Sequence, residues 1–290
     1  MNSLSTSVID SVRSSFAFSV DKFPLSGPES MRTPFYGLFR SDNLSVVGRP
    51  VTGRYVPHQT EDVLALVEAA ANAFDGVAEV KCHFSQGHYV SIQPSKEERL
   101  AVFDKADNVF PRIVIRAGYD GKAFKASLGY YRDLCRNLAI LRRVSGTSVN
   151  IRHSVNLRPK MDELIRTFSA LKGSWVKLAD AIQHLESRQV QIVDFLRDIY
   201  GTPEPGRSET IHRNRTEAIL QRLVDERFRS GRPRIENGTV SAWEAYNAVQ
   251  GFVQHDATRK NVARLGDYGR AVAAYSDAAV IAAEELAFAA

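Results

Sequence analysis

The chain has 290 residues, of which 44% are hydrophobic and 24% charged, with a net charge of +5; it is long enough for one large domain or two smaller ones. It contains only two cysteines, Cys82 and Cys135, and its Ser-rich start lacks the basic and apolar segments of a secretory signal, so we expect no disulfide scaffold and a cytoplasmic protein. Its longest apolar runs are too short to cross a bilayer, so we expect no membrane partner.

The first half of the chain shows short alternating segments. Residues 1–34 predict a flexible N-terminal arm, and a helix is expected to begin at Thr60, where apolar residues recur at helical spacing. The strands predicted from period-two alternation and turn residues lie within 35–51, 78–84, 88–92, 112–116 and 123–128. A further helix is predicted over roughly Tyr131–Arg143.

After Asn156 the pattern becomes helical. From Leu157 to Tyr200, apolar residues follow a heptad stripe with one polar interruption at Gln189, which predicts one long helix or two in series. The stripe fits a helix packed within its own domain, and it also fits a contact between copies of the chain. The remaining predicted helices are Glu209–Phe228, Ser241–His255 and Lys260–Ala290.

These elements predict an α+β fold with a small antiparallel sheet in a mixed N-terminal half and an all-helical C-terminal half. The expected division is a flexible arm at 1–34, a basic α+β domain at 35–156 and a helical domain at 157–290.

The positive charge is concentrated in one stretch. Between Arg112 and Lys160 there are eleven Lys and Arg residues opposed only by Asp120 and Asp133, a net of +9 over 49 residues. The rest of the chain carries 27 basic and 31 acidic residues, a net of −4. Such a distribution suits an acidic partner such as nucleic acid. The same charges could instead pair with the acidic remainder of the chain, or with an acidic strip on another copy.

In the nucleic-acid interpretation, Lys and Arg neutralise phosphates and tyrosines stack on unpaired bases. The residues predicted to contact phosphate are Arg112, Arg116, Lys122, Lys125, Arg132, Arg136, Arg142 and Arg143. The residues predicted to stack are Tyr119 and Tyr130.

Other chemistry has little support in the sequence. The seven histidines are scattered, and although His83 and His88 could meet across a hairpin beside Cys82, no further ligand follows at a suitable spacing, so we expect no metal site. The segment Arg142–Ser148 lacks the Gly-Lys-Ser/Thr ending of a phosphate-binding loop, and we expect no cofactor.

Two ordered sets of residues resemble a known family. Tyr119-Asp120-Gly121 is followed by Arg132-x-x-Cys135-x-Asn137, and Trp243-x-x-Tyr246-Asn247-Ala248-Val249 follows near the end. With Arg40-Ser41-Asp42 and the segment 48–59, they resemble the phage/plasmid-like proteins catalogued as a domain of unknown function. The resemblance covers roughly residues 35–265 and implies an origin in a phage, prophage or plasmid of a bacterial host, without implying an activity.

The order of elements is also similar in outline to single-strand annealing recombinases of the Red-beta and Erf kind, which form rings or filaments. The leading hypothesis is therefore an oligomeric, sequence-independent single-stranded DNA-binding protein of recombination or replication. The alternative is a self-assembling or host-interacting protein with no nucleic-acid role. An enzyme is the third possibility and is not favoured. Its candidates would be Asp120, Cys135 and Asn137, each of which also fits a structural role in a turn or the core.

Overall fold

A computed structural model describes residues 6–74, 76–84, 87–94, 99–102, 107–119, 124–135, 137–139, 141–144, 148–153, 157–203, 205–257, 270, 274 and 277–289. The helices are α1 Thr6–Ser15, α2 Thr60–Ala73, α3 Leu157–Ser187, α4 Ile192–Tyr200, α5 Arg207–Arg229, α6 Ala242–Gly251 and α7 Ala278–Ala289, with one π-helical turn at Phe252–Asp256. The strands are β1 Val20–Ser26, β2 Arg32–Arg40, β3 Val46–Thr52, β4 Val77–Phe84, β5 Gly87–Pro94, β6 Leu100–Val102, β7 Asp107–Gly118, β8 Phe124–Arg132, β9 Asn137–Ala139, β10 Ser148–Ile151, β11 Gln189–Gln191 and β12 Thr239–Ser241.

The strands described form three sheets. One is antiparallel with the order β1-β2-β3, and the second has the order β10-β8-β7-β5-β4, with β6 paired to β7 and β9 paired to β8. The third is the short antiparallel pair of β11 and β12. The chain divides into two compact units. Unit 1 contains Met1–Glu98, Pro111–Leu128 and Gly146–Ser174, and unit 2 contains Arg99–Phe110, Gly129–Ser145 and Trp175–Ala290.

In unit 1, the sheet follows from alternation. Val90 and Ile92 of β5 lie opposite Ile115 and Ile113 of β7, and all four side chains are buried. Helix α2 packs against β5 with its own apolar stripe, as its sequence predicts. This part of the fold therefore buries its apolar positions at the periods expected for a strand and a helix.

A glycine allows β3 to approach the end of β7. Gly48 has a φ of +69°, and a Cβ atom there would lie 1.9 Å from the carbonyl oxygen of Tyr119. The adjacent Arg49 donates its backbone N–H to that same oxygen at 3.3 Å. Only a residue without a side chain fits this close contact.

In unit 2, α6 is the central element. All of its residues from Ala242 to Gly251 are buried, and it contacts α5, α7 and β9. Its N-terminus carries a reciprocal capping box, in which Ser241 accepts the backbone N–H of Glu244 and Glu244 accepts that of Ser241. Two arginines also reach the Glu244 carboxylate, Arg227 and Arg232, each at 2.7 Å.

The prediction of an all-helical C-terminal half was wrong. Gln189-Val190-Gln191 forms β11, which pairs with Ser241, Val240 and Thr239 of β12 and separates α3 from α4. The heptad pattern continues across Gln189 and gives no sign that the helix ends there. The interruption depends on pairing with β12, about fifty positions later in the chain. The stripe residues from Trp175 to Leu196 on either side of Gln189 are buried, as expected for a core face, whereas Ile199 at the end of the stripe is half-buried. The side chains of Leu164, Phe168 and Leu171 lie outside the described set.

Two further local predictions differ from the structure. Residues 6–34, predicted as a flexible arm, contain α1 and β1, and Val12 and Phe16 are fully buried. The helix predicted over Tyr131–Arg143 was wrong, because β8 continues to Arg132 and Asn137 of β9 pairs with that residue. Among the described residues, no helix is long and apolar enough to span a bilayer.

Candidate functional site

Arg112, the first of the predicted phosphate contacts, lies inside unit 1. Its side chain is 1% exposed, and its guanidinium donates to Glu79 at 2.5 Å and to Gln93 at 2.8 Å. Ser91 accepts a third hydrogen bond at 3.3 Å. The arginine is therefore engaged with β4 and β5, and its charge is met by the Glu79 carboxylate rather than by solvent.

Arg132 is also a buried arginine that binds carboxylates, and it lies in unit 2. Its side chain is 2% exposed and forms ion pairs with Asp107 and, at 2.6 Å, with Glu226. The Glu226 carboxylate also lies 3.7 Å from Arg222, which binds Asp256 at 2.8 Å. These five residues form a chain of alternating charges that joins β7, β8, α5 and the π-helical turn. Two arginines and three carboxylates thus meet within one network.

The two predicted stacking tyrosines are core residues. Tyr119 is fully buried, its ring lies flat on His58 with centroids 4.3 Å apart, and its hydroxyl donates to the His58 carbonyl at 2.8 Å. Tyr130 is also fully buried, packs 4.9 Å from the Trp243 ring and hydrogen-bonds Asn247 at 3.4 Å. Burial raises the pKa of both phenols. Neither ring faces solvent in this structure.

The other predicted residues divide between the two units. Arg116 and Lys125 are half-buried in unit 1, while Arg142 is half-buried and Arg143 exposed in unit 2. Arg142 lies 3.9 Å from Glu284, which also accepts the backbone N–H of Arg143 at 2.8 Å. Lys122 and Arg136 lie outside the described residues, as does Asp120. The phosphate contacts predicted for these positions stay predictions.

Two of the family motifs, the one that ends at Asn137 and the one that begins at Trp243, contact each other in unit 2. The Asn137 side chain donates to the Asn247 carbonyl at 3.1 Å, and the Asn247 side chain donates to the Trp243 carbonyl at 2.8 Å. A Cβ atom at Gly251 would lie 2.9 Å from the Asn137 side chain, so α6 approaches β9 closely here. Asn137 and Asn247 thus hold α6 against β9, which is a structural role.

Cys135 borders an open cavity of about 450 Å³ in unit 2, with Arg222, Glu226, Arg229, His255 and Asp256 among its lining residues. Burial raises the pKa of the Cys135 thiol to about 12. A thiol with such a pKa stays protonated at neutral pH and is a poor nucleophile. The arrangement therefore gives no support to covalent chemistry at Cys135.

A cluster of histidine and aromatic rings fills the core of unit 1. His58 Nε2 and His88 Nδ1 share a hydrogen bond of 2.8 Å, and Phe16, Phe84 and Tyr119 pack around them. Burial lowers the pKa of His58, and it lowers that of His88 to about 3 with a further contribution from Arg40. Among the described residues, no group of three or more His, Cys, Asp or Glu is placed to hold a metal ion.

A group of exposed aromatic and aliphatic side chains lies on one side of the β1–β3 sheet. Val20, Leu38 and Val47 are buried on its inner side, whereas Phe23, Phe35 and Val46 are 51%, 47% and 59% exposed. Phe23 and Phe39 meet edge to face with centroids 5.7 Å apart. We call Phe23, Phe35, Phe39 and Val46 the outer face.

Gly37 lies among these rings. It pairs with Phe23 in the register, and a Cβ atom on it would lie 2.6 Å from the Phe39 ring and 3.1 Å from Leu25. The glycine therefore leaves space for rings that a side chain would displace. Sequence reasoning missed this face, although the period-two spacing of Phe35, Gly37 and Phe39 is the signal that could have found it.

Three arginines lie in the same part of the chain as the outer face. Arg32, Arg49 and Arg54 are exposed, on or next to β2 and β3, and among the described residues no carboxylate forms an ion pair with them. Arg40, by contrast, binds Asp42 at 2.6 Å and lies over the Phe18 ring. Asp21 lies opposite Phe39 in the register. The local charge balance is therefore positive.

In a comparison with protein families, residues 46–275 match the Domain of unknown function (DUF932). The chain belongs to this family. The motifs that contain Asn137 and Trp243 lie inside the match, as does the close contact between Gly48 and Tyr119. Strands β1 and β2 precede the match. No curated protein and no solved structure matches the chain. The match confirms that the chain resembles a family of unknown function and assigns no reaction, whereas the phage or plasmid origin and the similarity to annealing recombinases stay predictions.

Proposed function

We propose that this DUF932 protein binds single-stranded nucleic acid without sequence preference through the outer face of the β1–β3 sheet. The observation that carries the proposal is the set of three phenylalanine rings on one accessible sheet face. Aromatic side chains on an open sheet stack on unpaired bases in known recognition modules, and every base has a face to stack.

The arginines supply the second requirement of such a site. Arg32, Arg49 and Arg54 would neutralise phosphates of a strand that crosses the phenylalanines. Because exposed arginines without carboxylate partners lose little on meeting a phosphate, they favour an anionic polymer over a neutral surface. The biological setting expected from the sequence, an annealing step in recombination or replication of a mobile element, is part of this proposal. Annealing needs no catalytic residue, since base pairing supplies the driving force.

The test is fluorescence anisotropy of a labelled oligothymidylate over a salt series. Phe35→Ser should weaken binding about tenfold, because stacking contributes about 1–3 kcal/mol per base. The control is Phe228→Ser, which removes an 85% exposed phenylalanine from α5 in unit 2 and should change nothing. Asp21→Asn should strengthen binding, since it removes an acidic group from the face.

The charge contribution has its own readout. Replacing Arg32, Arg49 or Arg54 by Gln should each reduce the slope of log affinity against log salt by about 0.7, the value for one contact to a single strand. No binding at about 50 mM salt, or equal affinities for Phe35→Ser and Phe228→Ser, removes the proposal.

The same face also fits self-assembly, since exposed apolar patches of this kind mark contacts between proteins. Light scattering with and without the oligonucleotide separates the two functions. A defined oligomer that ignores nucleic acid and is lost in Phe35→Ser supports assembly. Salt-dependent binding by a chain of unchanged mass supports the nucleic-acid site.

A further inference from the structure

Unit 2 contains a second cavity, of about 680 Å³, between the end of α4, the π-helical turn and the start of α7. Its size falls within the range of small-molecule sites. Much of its apolar lining comes from short side chains on or before α7, Ala274, Ala278, Ala279 and Ala282, which leave the space unfilled. Phe252 and Val253 of the π-helical turn also line the cavity, and turns of this kind are frequent at functional sites.

Two polar groups on different helices converge on this cavity. Tyr200 ends α4, and its buried hydroxyl has no hydrogen-bond partner among the described residues. Arg215 of α5 places its guanidinium 4.7 Å from the centroid of the Tyr200 ring. Within the described part of the chain, no carboxylate forms an ion pair with Arg215. A buried hydroxyl without a partner is costly unless something binds it.

The protonation state makes the tyrosine a donor. Burial raises its pKa to about 12, with Arg215 opposing the shift and Asp277 adding to it. The phenol therefore stays protonated at neutral pH and offers its hydrogen to an acceptor. His212 holds the chain just after it, through a hydrogen bond of 3.0 Å with the Gly201 carbonyl.

The acidic group of the cavity already has a structural role. Asp277 accepts the backbone N–H of Ala279 at 2.9 Å and caps the first turn of α7. A second guanidinium, that of Arg270, also lines the cavity. A ligand in the cavity therefore meets the Arg215 guanidinium next to an apolar wall.

We propose that this cavity binds a small organic anion. Its carboxylate or phosphate group pairs with Arg215 and accepts a hydrogen bond from the Tyr200 hydroxyl. Its apolar body lies against the alanines of α7 and against Phe252. A guanidinium and a phenol hydroxyl both suit carboxylates and phosphates. Because a bare inorganic ion has no apolar body to pack against the alanines and Phe252, we expect an organic anion to be preferred. The site lies in unit 2 and does not depend on the outer face of unit 1.

The experiment is isothermal titration calorimetry of the full chain with benzoate, phenyl phosphate, the neutral analogue benzamide and inorganic phosphate. At least one of the two organic anions should bind at millimolar concentration or below, and benzamide and inorganic phosphate should each bind at least about tenfold more weakly. The tighter of the two anions identifies the preferred head group. No heat from either anion at about 5 mM, or equal binding of benzamide, overturns the proposal.

Matched variants locate the site. Arg215→Gln and Tyr200→Phe should each weaken the anion about tenfold or more, because hydrogen bonds to charged groups contribute about 1.5–3 kcal/mol. The control is Arg213→Gln, which removes an exposed arginine of the same helix that does not line the cavity. Equal affinities for Arg215→Gln and Arg213→Gln would overturn the proposal.

A steric variant decides the case if Arg215→Gln fails to fold. Ala282→Leu narrows the cavity from α7 and leaves both polar groups in place. It should weaken phenyl phosphate or benzoate by about tenfold, since the added methylenes occupy the space of the apolar body. A folded Ala282→Leu chain that binds the anion as the wild type does would contradict the site.

Discussion

The β7–β8 region and the β1–β3 sheet both combine arginines with aromatic rings, and they differ in what surrounds those side chains. In the first region, Arg112 and Arg132 are 1% and 2% exposed and bind carboxylates. Tyr119 and Tyr130 of the same region are fully buried. On the second, Phe23 and Phe35 keep about half of their surface in solvent.

The arginines of the two regions differ in burial because the fold places carboxylates next to Arg112 and Arg132. Burying a guanidinium costs several kcal/mol unless a partner offsets its lost hydration. Arg112 binds Glu79 of β4, and Arg132 binds Glu226, which lies 94 positions later in the chain. Arg32 and Arg49 have no such partner among the described residues. A basic stretch in a sequence therefore indicates a binding surface only where its charges have no internal counterpart.

The largest effect is expected at Arg132. Replacing it with Met leaves the buried Asp107 without the cation that binds it, and leaves Glu226, among the described residues, with Arg222 alone at 3.7 Å, which should lower the free energy of unfolding by about 3–5 kcal/mol. Urea or guanidinium denaturation measures this. Arg49→Met, which changes an exposed arginine, should stay within about 0.5 kcal/mol of the wild type.

Arg132→Met also tests the comparison itself. If the variant is as stable as Arg49→Met but loses affinity for oligonucleotides, the network is not structural and Arg132 returns to the ligand-binding role that its sequence context predicts. If stability falls while the oligonucleotide affinity of the remaining folded protein is kept, the two regions have the separate roles described above.

The sequence predicted the elements whose evidence is local. The stripe of α2, the β4–β5 hairpin and the span of α5 follow from helical or strand periodicity, and each is present. The β11–β12 pair and the β9 strand were missed because their formation depends on partners. Gln189 becomes a strand residue only opposite Ser241, and Asn137 only opposite Arg132.

The candidate sites depend on burial, which periodicity does not report. The cations between Arg112 and Arg143 are close together in the chain, yet the fold divides them between two units and gives some of them internal carboxylates. The outer face was hidden for another reason. Phe23 lies in a segment predicted as a flexible arm, so its pairing with Gly37 and its proximity to Phe39 could not be inferred.

A second test concerns the histidines in the interior of unit 1. An unfolded chain takes up a proton on His88 below its ordinary pKa of 6.5, whereas in the folded chain burial, with a further contribution from the Arg40 charge, lowers that pKa to about 3. Stability is therefore lost as the pH falls from 6.5 toward 3. His88 alone should lower the free energy of unfolding by about 2 kcal/mol at pH 5, and His58 acts in the same direction.

Urea denaturation at pH 7 and pH 5 measures this effect. His88→Phe should show a smaller loss between the two pH values, whereas His184→Gln, which changes an exposed histidine of α3, should show the loss of the wild type. A free energy of unfolding that is the same at both pH values would mean that the pair is accessible to solvent, and the contrast between interior and outer face would be weaker.

The smallest effect on stability is expected on the outer face. Because the Phe35 ring is about half exposed and lies on the side of β2 away from the core, Phe35→Ser should change the free energy of unfolding by no more than about 0.5 kcal/mol. Phe228→Ser, at a still more exposed ring, should give the same result. Denaturation at two protein concentrations distinguishes the alternatives. A loss above about 1.5 kcal/mol that grows with protein concentration would mean that a second copy covers Phe35 in solution, since association stabilises by mass action. The face would then be an assembly surface, and single-stranded nucleic acid would have to bind elsewhere.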